Sequence, residues 1–274
     1  MAEECTHDCS SCSSNCSEKK QSLIENLNRY SKVNKKVIGI VSGKGGVGKT
    51  FVTTSIACAL NEQGYTVGIL DADITGPSVP KMFGIHDKAL GNGDGIMPQV
   101  TKNGIEVMSS NLILDTEETP VLWRGPIMSG IVKQFWTDVV WGELDYLLID
   151  MPPGTGDIPL TVFQSIPVDE IIIVTSPQDL VSMIVGKACN MAKAMNLKVL
   201  GLIENYSYLV CPDCNKKINV FGESKIDEVA MKHRCKVLGQ IPIMPTLNEL
   251  VNSEKFESVP HDYMYSIVKI IENS

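Results

Sequence analysis

"VIGIVSGKGGVGKT", residues 37–50, decides how the rest of the chain is read. An apolar run over 37–42 leads into Gly43–Thr50, which satisfies G-x-x-x-x-G-K-[ST]. Between a strand and a helix, such a loop turns backbone N–H groups inward around phosphate oxygens, and the helix N-terminus adds partial positive charge. In that reading Gly43, Gly45, Gly46, Val47 and Gly48 form the cradle. Lys49 reaches the β- and γ-phosphates, and the Thr50 hydroxyl ligates Mg²⁺. Gly43, Gly45 and Gly48 also fit the dinucleotide pattern G-x-G-x-x-G, with Asp71 at the end of the next strand, where a ribose-binding acid belongs. A nicotinamide cofactor gives no role to a lysine and a hydroxyl after the last glycine. The mononucleotide reading prevails.

Outward from the loop, strand and helix patterns alternate. A helix is expected over 50–63, stopped by Gly64, and apolar strands at 65–71, 145–150, 170–176, 198–204 and 236–241. Helical patterns fill 126–141, 179–195 and 224–233, and a short helix is expected over 23–30. The order implies an α/β fold with a doubly wound, mostly parallel sheet and ligands beyond the carboxyl ends of its strands. The Gly-, Asp- and Thr-rich stretch 84–120 reads as loops with a small strand near 105–109. Residues 1–20, rich in Ser and Cys, form a separate flexible segment, leaving 21–274 as one ATPase-sized domain. A net charge of −8 argues against a nucleic-acid partner, and neither a secretory leader nor a membrane span is visible, so a cytoplasmic protein is expected.

Two further segments carry acids. "LDADITGPSVP" (70–80) ends a strand with Asp71 and Asp73, and "LLIDMPPGTGD" (147–157) places Asp150 at the end of another, the Walker B position for Mg²⁺. A strand-end carboxylate near the γ-phosphate can orient or deprotonate the attacking water. Lys44 stands too early in the loop to fold back over its own phosphates. "KGGVGKT" resembles the deviant Walker A signature of the MinD/ParA/nitrogenase-iron-protein class of dimeric ATPases. That resemblance implies that Lys44 crosses a dimer interface to the partner's nucleotide, as an arginine finger does. It also implies that Asp73 is the switch I aspartate, with Asp71 nearer the metal's outer shell. Gly154 would offer an N–H to the γ-phosphate, and Asn205 would read the adenine edge.

Nine cysteines complete the pattern. Cys5, Cys9, Cys12 and Cys16 bring four thiols into twelve residues, the requirement for zinc or a [4Fe–4S] cluster. Cys58 and Cys189 fall within apolar helical patterns and read as buried fillers. Cys211 and Cys214 form a C-x₂-C that needs two more ligands. Either His233 and Cys235 of the same chain supply them, or a second copy donates its own pair across a two-fold axis. Together "GKGGVGKT", "LDADITGPSVP", "LWRGPIMSG", "WGELDYLLIDMPPGTGD" and "CPDC" closely resemble the Mrp/ApbC family of iron–sulfur cluster carrier ATPases, from about residue 36 to the C-terminus. The resemblance implies a slow, Mg²⁺-dependent ATPase acting as a homodimer. It would hold a [4Fe–4S] cluster at Cys211 and Cys214, receive it from upstream donors and deliver it to apo-proteins. The N-terminal cysteines resemble the extra cluster site of the scaffold branch. The rival readings are an ATP-gated electron-transfer protein with a bridging cluster and a MinD/ParA-like positioning ATPase. The membrane form of the latter calls for a basic amphipathic C-terminal helix, whereas "PHDYMYSIVKIIENS" (260–274) carries one lysine and reads as a docked apolar helix.

Overall fold

The computed structural model describes residues 24–74, 76–114, 125–154, 156–177 and 181–274, with the side chains at 125, 126, 157 and 181 left aside. Among them the strands are β1 (Lys32–Ser42), β2 (Val67–Asp71), β3 (Gly91–Asn92), β4 (Gly95–Ile96), β5 (Gln99–Val100) and β6 (Glu106–Met108). β7 (Glu143–Asp150), β8 (Glu170–Thr175), β9 (Lys198–Glu204), β10 (Leu209–Val210), β11 (Lys217–Ile218) and β12 (Val237–Gln240) follow. The helices are α1 (Lys49–Glu62), α2 (Val79–Phe83), α3 (Gly125–Thr137), α4 (Asp157–Ser165), α5 (Val181–Ala194), α6 (Ile226–His233), α7 (Leu247–Asn252) and α8 (Tyr265–Glu272).

Eight strands form the main sheet in the order β12-β9-β8-β1-β7-β2-β6-β5, parallel throughout except for the β5–β6 pair. β1 is central because its alternate residues feed two cores. Ile38 and Ile40 pack with α1 and α8 on one face, while Val37 and Val41 pack in the cluster formed with α3 to α6 on the other. The crossover from β1 runs to one side of the sheet, to β2, and that from β7 returns past β1 to β8. The loop after β1 therefore opens at the point where the winding reverses, the usual ligand position in such sheets.

Strand boundaries agree with the sequence pattern to within two residues except at β1, which starts five residues earlier. Lys32 and Val33 gain partners in Glu143 and Leu144 of β7, a pairing that hydrophobicity alone does not reveal. The helix expected over 23–30 does not form in the described residues 24–30. That stretch is tethered instead: Glu25 N donates to Ser165 O (2.8 Å), and Trp136 Nε1 donates to Glu25 O (2.9 Å). The second of these bonds takes up a carbonyl that a helix would have used.

Glu106, on β6, has a buried Oε2 with no hydrogen-bond partner, and burial pushes its carboxyl up to about 7 from 4.5. Between those values the fold holds a proton that the unfolded chain releases, so this residue's contribution declines as pH rises through the window. Glu106→Gln removes the decline. Its melting-temperature gain over the wild type should grow by roughly 2–4 °C between pH 5 and pH 8, as read by circular dichroism.

Candidate functional site: a phosphate loop beside a cysteine hairpin

Gly46 and Gly48 have φ of 78° and 77°, left-handed values that glycine adopts without strain. They bend Gly43–Thr50 into a loop that opens α1 at its N-terminus. Gly48 stands at the N-cap, and no side chain caps the helix. The first N–H groups of α1 thus face the loop as an anion site. Gly43 and Gly48 are also demanded by close packing. A Cβ on Gly43 would lie 2.0 Å from Ile184 Cγ2 of α5, and one on Gly48 would lie 2.2 Å from Asn205 Nδ2. Gly48→Ala meets both the contact and the positive φ. It should destabilise the protein by about 1–3 kcal/mol and weaken ATP binding at least tenfold, measurable by calorimetry. Normal affinity would show that the loop does not hold phosphate.

Around the loop the strand ends supply polar groups. Asp150, fully buried at the end of β7, accepts hydrogen bonds from Thr50 Oγ1 (2.6 Å, to Oδ2) and Thr53 Oγ1 (2.7 Å, to Oδ1). Lys49 Nζ stands 2.7 Å from Asp150 Oδ1 in a buried ion pair, although its protons have no well-directed acceptor. The loop's lysine thus neutralises the carboxylate at the end of β7. Asp71, also fully buried, accepts from Ser109 Oγ (3.0 Å) and from the Asp73 N–H (3.1 Å). Burial, and next the charge of Asp150, push its carboxyl up to about 8. Asp73, half-buried two residues on, is the carboxylate of this pair left nearer the surface.

Six buried side-chain atoms among the described residues lack a hydrogen-bond partner, and four belong to this region: Ser42 Oγ, Lys49 Nζ, Ser176 Oγ and Asn205 Oδ1. Leaving a buried polar group unpaired costs about 1–3 kcal/mol. Such clustering fits a site whose partners arrive with a ligand. Three donors and an amide oxygen that accepts match phosphate oxygens and an adenine amino group. Asp150 and the Thr50 hydroxyl make an oxygen donor set of the kind Mg²⁺ takes.

The structure gives several of these residues partners that the sequence did not indicate. The Gly154 N–H donates to Ser42 O (2.8 Å), which joins the ends of β7 and β1. Asn205 lies on the loop, its Nδ2 donating to Val47 O (2.9 Å). Lys44 is half-buried within the loop. Sequence reasoning missed Thr53, Ser78 and Ser109. Ser78 Oγ donates to Thr50 Oγ1 (3.1 Å), placing a third hydroxyl beside the two on Asp150. Thr53 had a signal, being three residues after Thr50 and hence on the same helical face.

Six residues beyond Asn205 is Cys211. Cys211 and Cys214 sit in the turn joining β10 to β11, with Cys211 half-buried and Cys214 exposed. Cys211 N donates to Lys216 O (3.0 Å), and Asn215, at φ 56°, donates to Cys211 O (2.9 Å). N–H groups of Cys214 and then Asp213 point at the Cys211 sulfur and lower its thiol below the ordinary range. The turn is thereby shaped for anionic sulfur, the form that binds iron or zinc. The same-chain route to the two further ligands fails. Cys235 Sγ lies 3.5 Å from Cys189 Sγ, and His233 packs on α5 at Gly186. Cys189 is correspondingly half-buried in a thiol contact, not a fully buried filler. No group of three or more His, Cys, Asp or Glu among the described residues is arranged for a metal. Cys5, Cys9, Cys12 and Cys16 lie outside the described residues.

Comparison with known proteins agrees with this geometry. The family model described as ParA, NUBPL iron-transfer P-loop NTPase, matches residues 33–273. A protein of Clostridium perfringens named iron–sulfur cluster carrier protein is 47% identical over 243 residues, covering 85% of each chain. One of the same name from Methanocaldococcus jannaschii is 47% identical over 248 residues, 88% of this chain and 85% of its own. Among solved structures, a nucleotide-binding protein of Archaeoglobus fulgidus in complex with ADP superposes with TM-score 0.74 at 41% identity, covering 82% of this chain and 89% of that one. The cell division ATPase MinD of Pyrococcus furiosus shares the fold at TM-score 0.64 and 20% identity, over 88% of this chain and 99% of its own.

Proposed function

Because the chain belongs to the ParA/NUBPL family of iron-transfer P-loop NTPases, we propose that it is an ATP-hydrolysing carrier that holds a [4Fe–4S] cluster and passes it to apo-proteins. The observation that carries this reading is the cysteine turn. Two thiols, one with backbone N–H groups aimed at its sulfur, stand six residues from an asparagine hydrogen-bonded to the phosphate loop. Two thiols meet half of a Cys₄ requirement, so a second copy supplies the rest and the cluster bridges a homodimer. Exposed Val210, Ile218, Val220 and Phe221 around the turn support this. Apolar side chains grouped on a surface favour an interface and would shield a cluster from water.

At the other end of the device, the loop N–H groups and Lys49 bind the triphosphate, Lys49 leaving Asp150 as the γ-phosphate arrives. Thr50 and Asp150 would hold Mg²⁺, which supplies charge neutralisation between the β- and γ-phosphates. Asp73 orients the attacking water, Asp71 supports it from the buried side, and Lys44 stabilises charge on the partner's nucleotide. Asn205 offers its orphaned Oδ1 to the adenine amino group. ATP state would then bias the dimer between cluster-holding and cluster-releasing arrangements.

The test is transfer. Cluster-loaded protein is mixed anaerobically with a purified apo-enzyme that requires [4Fe–4S], with and without Mg·ATP, and recovery of the enzyme's activity is followed. Recovery faster than with free iron and sulfide supports the carrier. No recovery, with the cluster still on the donor, would make it an electron-transfer or structural group.

A further inference from the structure

Cys189 and Cys235 bring their sulfurs to 3.5 Å of each other, from helix α5 and from the turn after α6. The contact is built by specific packing. Ser182, Gly186 and Cys189 lie at i, i+4 and i+7, one face of α5. Against that face lies the end of α6. Lys232 Nζ donates to Ser182 Oγ (3.0 Å), and His233 Nε2 donates to Ser182 O (3.1 Å). The His233 ring lies so close to Gly186 that a Cβ there would stand 2.9 Å from Cε1. Arg234, at φ 56°, then turns the chain back and delivers Cys235 to Cys189. Both thiols are half-buried, and Arg234 and Lys236, on either side of Cys235, are exposed.

We propose that Cys189 and Cys235 form a reversible intramolecular disulfide, a modification site separate from the cysteines at 211 and 214. Bonded sulfurs lie about 2.05 Å apart, so side-chain rotation with a small helix adjustment is needed to close the gap. The co-reactant is a low-molecular-weight disulfide such as oxidised glutathione, whose carboxylates suit the cations beside Cys235. The Cys235 thiolate attacks one glutathione sulfur, forming a mixed disulfide. The expelled glutathione thiolate takes up the proton that Cys235 gave. Cys189 then loses its proton, attacks the Cys235 sulfur and expels the second glutathione, which takes that proton. Two protein thiols are oxidised to one disulfide, and one glutathione disulfide is reduced to two thiols. Cys235 reacts first because the exposed cations Arg234 and Lys236 flank it, and Cys189, on the packed face of α5, follows. Closing the bond pins α5, whose Ile184 lies against Gly43 of the phosphate loop. Oxidation therefore bears on nucleotide binding whether or not the protein carries a cluster.

The full-length, metal-free protein is incubated with oxidised glutathione, its remaining thiols are alkylated, and the digest is mapped by mass spectrometry. The expected result is a linked 189–235 peptide in most chains, abolished by dithiothreitol and missing from Cys189→Ser. Recovery of both residues as alkylated thiols, under conditions that oxidise Cys211 and Cys214, overturns the proposal. So does glutathione retained on Cys235 without resolution. ADP affinity is then compared by calorimetry for oxidised and reduced protein. A several-fold difference that Cys189→Ser lacks supports the link through α5, and equal affinities overturn that link.

Discussion

Lys49→Ala should abolish ATP turnover and also destabilise the nucleotide-free protein, two effects from one side chain. Lys49 stands 2.7 Å from Asp150 in a pair almost wholly out of water. Removing one member of such a pair leaves an uncompensated buried charge at about 3–5 kcal/mol. The hydroxyls of Thr50 and Thr53 remain on Asp150 and hold the loss to the lower part of that range. In turnover, the variant lacks the cation on the developing phosphate charge, and a loss of about 10²–10³-fold or more is expected. Denaturant melts and an ATPase assay on the same preparations read the two effects separately. Adding Asp150→Asn should restore much of the stability and none of the turnover, because the orphaned charge is gone and the phosphate still lacks its cation. A double variant as unstable as Lys49→Ala would show that the pair is not what holds the empty loop.

The second large effect concerns iron. Cys211→Ala with Cys214→Ala should remove about two iron atoms per chain after anaerobic reconstitution, half of a [4Fe–4S] cluster. The melting temperature should change little, because residues 212–223 are exposed apart from the cores on either side of the sheet. Iron still bound by the variant would belong to Cys5, Cys9, Cys12 and Cys16. Unchanged iron content would exclude the 211–214 pair as a ligand, whatever those other cysteines do.

The extent to which this was legible in the sequence follows from the range of the interactions. The loop from Gly43 to Thr50 carries its geometry in its own residues, because glycine at the left-handed positions and a lysine–threonine pair at fixed offsets leave few alternatives. Asp71 and Asp150 were visible as polar ends of apolar strands. What was not legible depends on residues distant in sequence. Nothing local says that the Gly154 N–H is taken by Ser42, that Ser109 supports Asp71, or that Cys235 meets Cys189 and not the pair at 211 and 214. The segment 24–30 misled because its pattern is weakly helical, and its backbone is claimed by Ser165 and Trp136 more than a hundred residues away.

The most direct measurement on the central claim is native mass spectrometry of the anaerobically reconstituted protein beside the Cys211→Ala/Cys214→Ala variant. The account predicts that the wild type is a dimer heavier than the variant dimer by one [4Fe–4S] cluster, after correction for the substitutions, and that the variant shifts toward monomer. A cluster-bearing monomer, or a dimer whose extra mass is zinc, would contradict it.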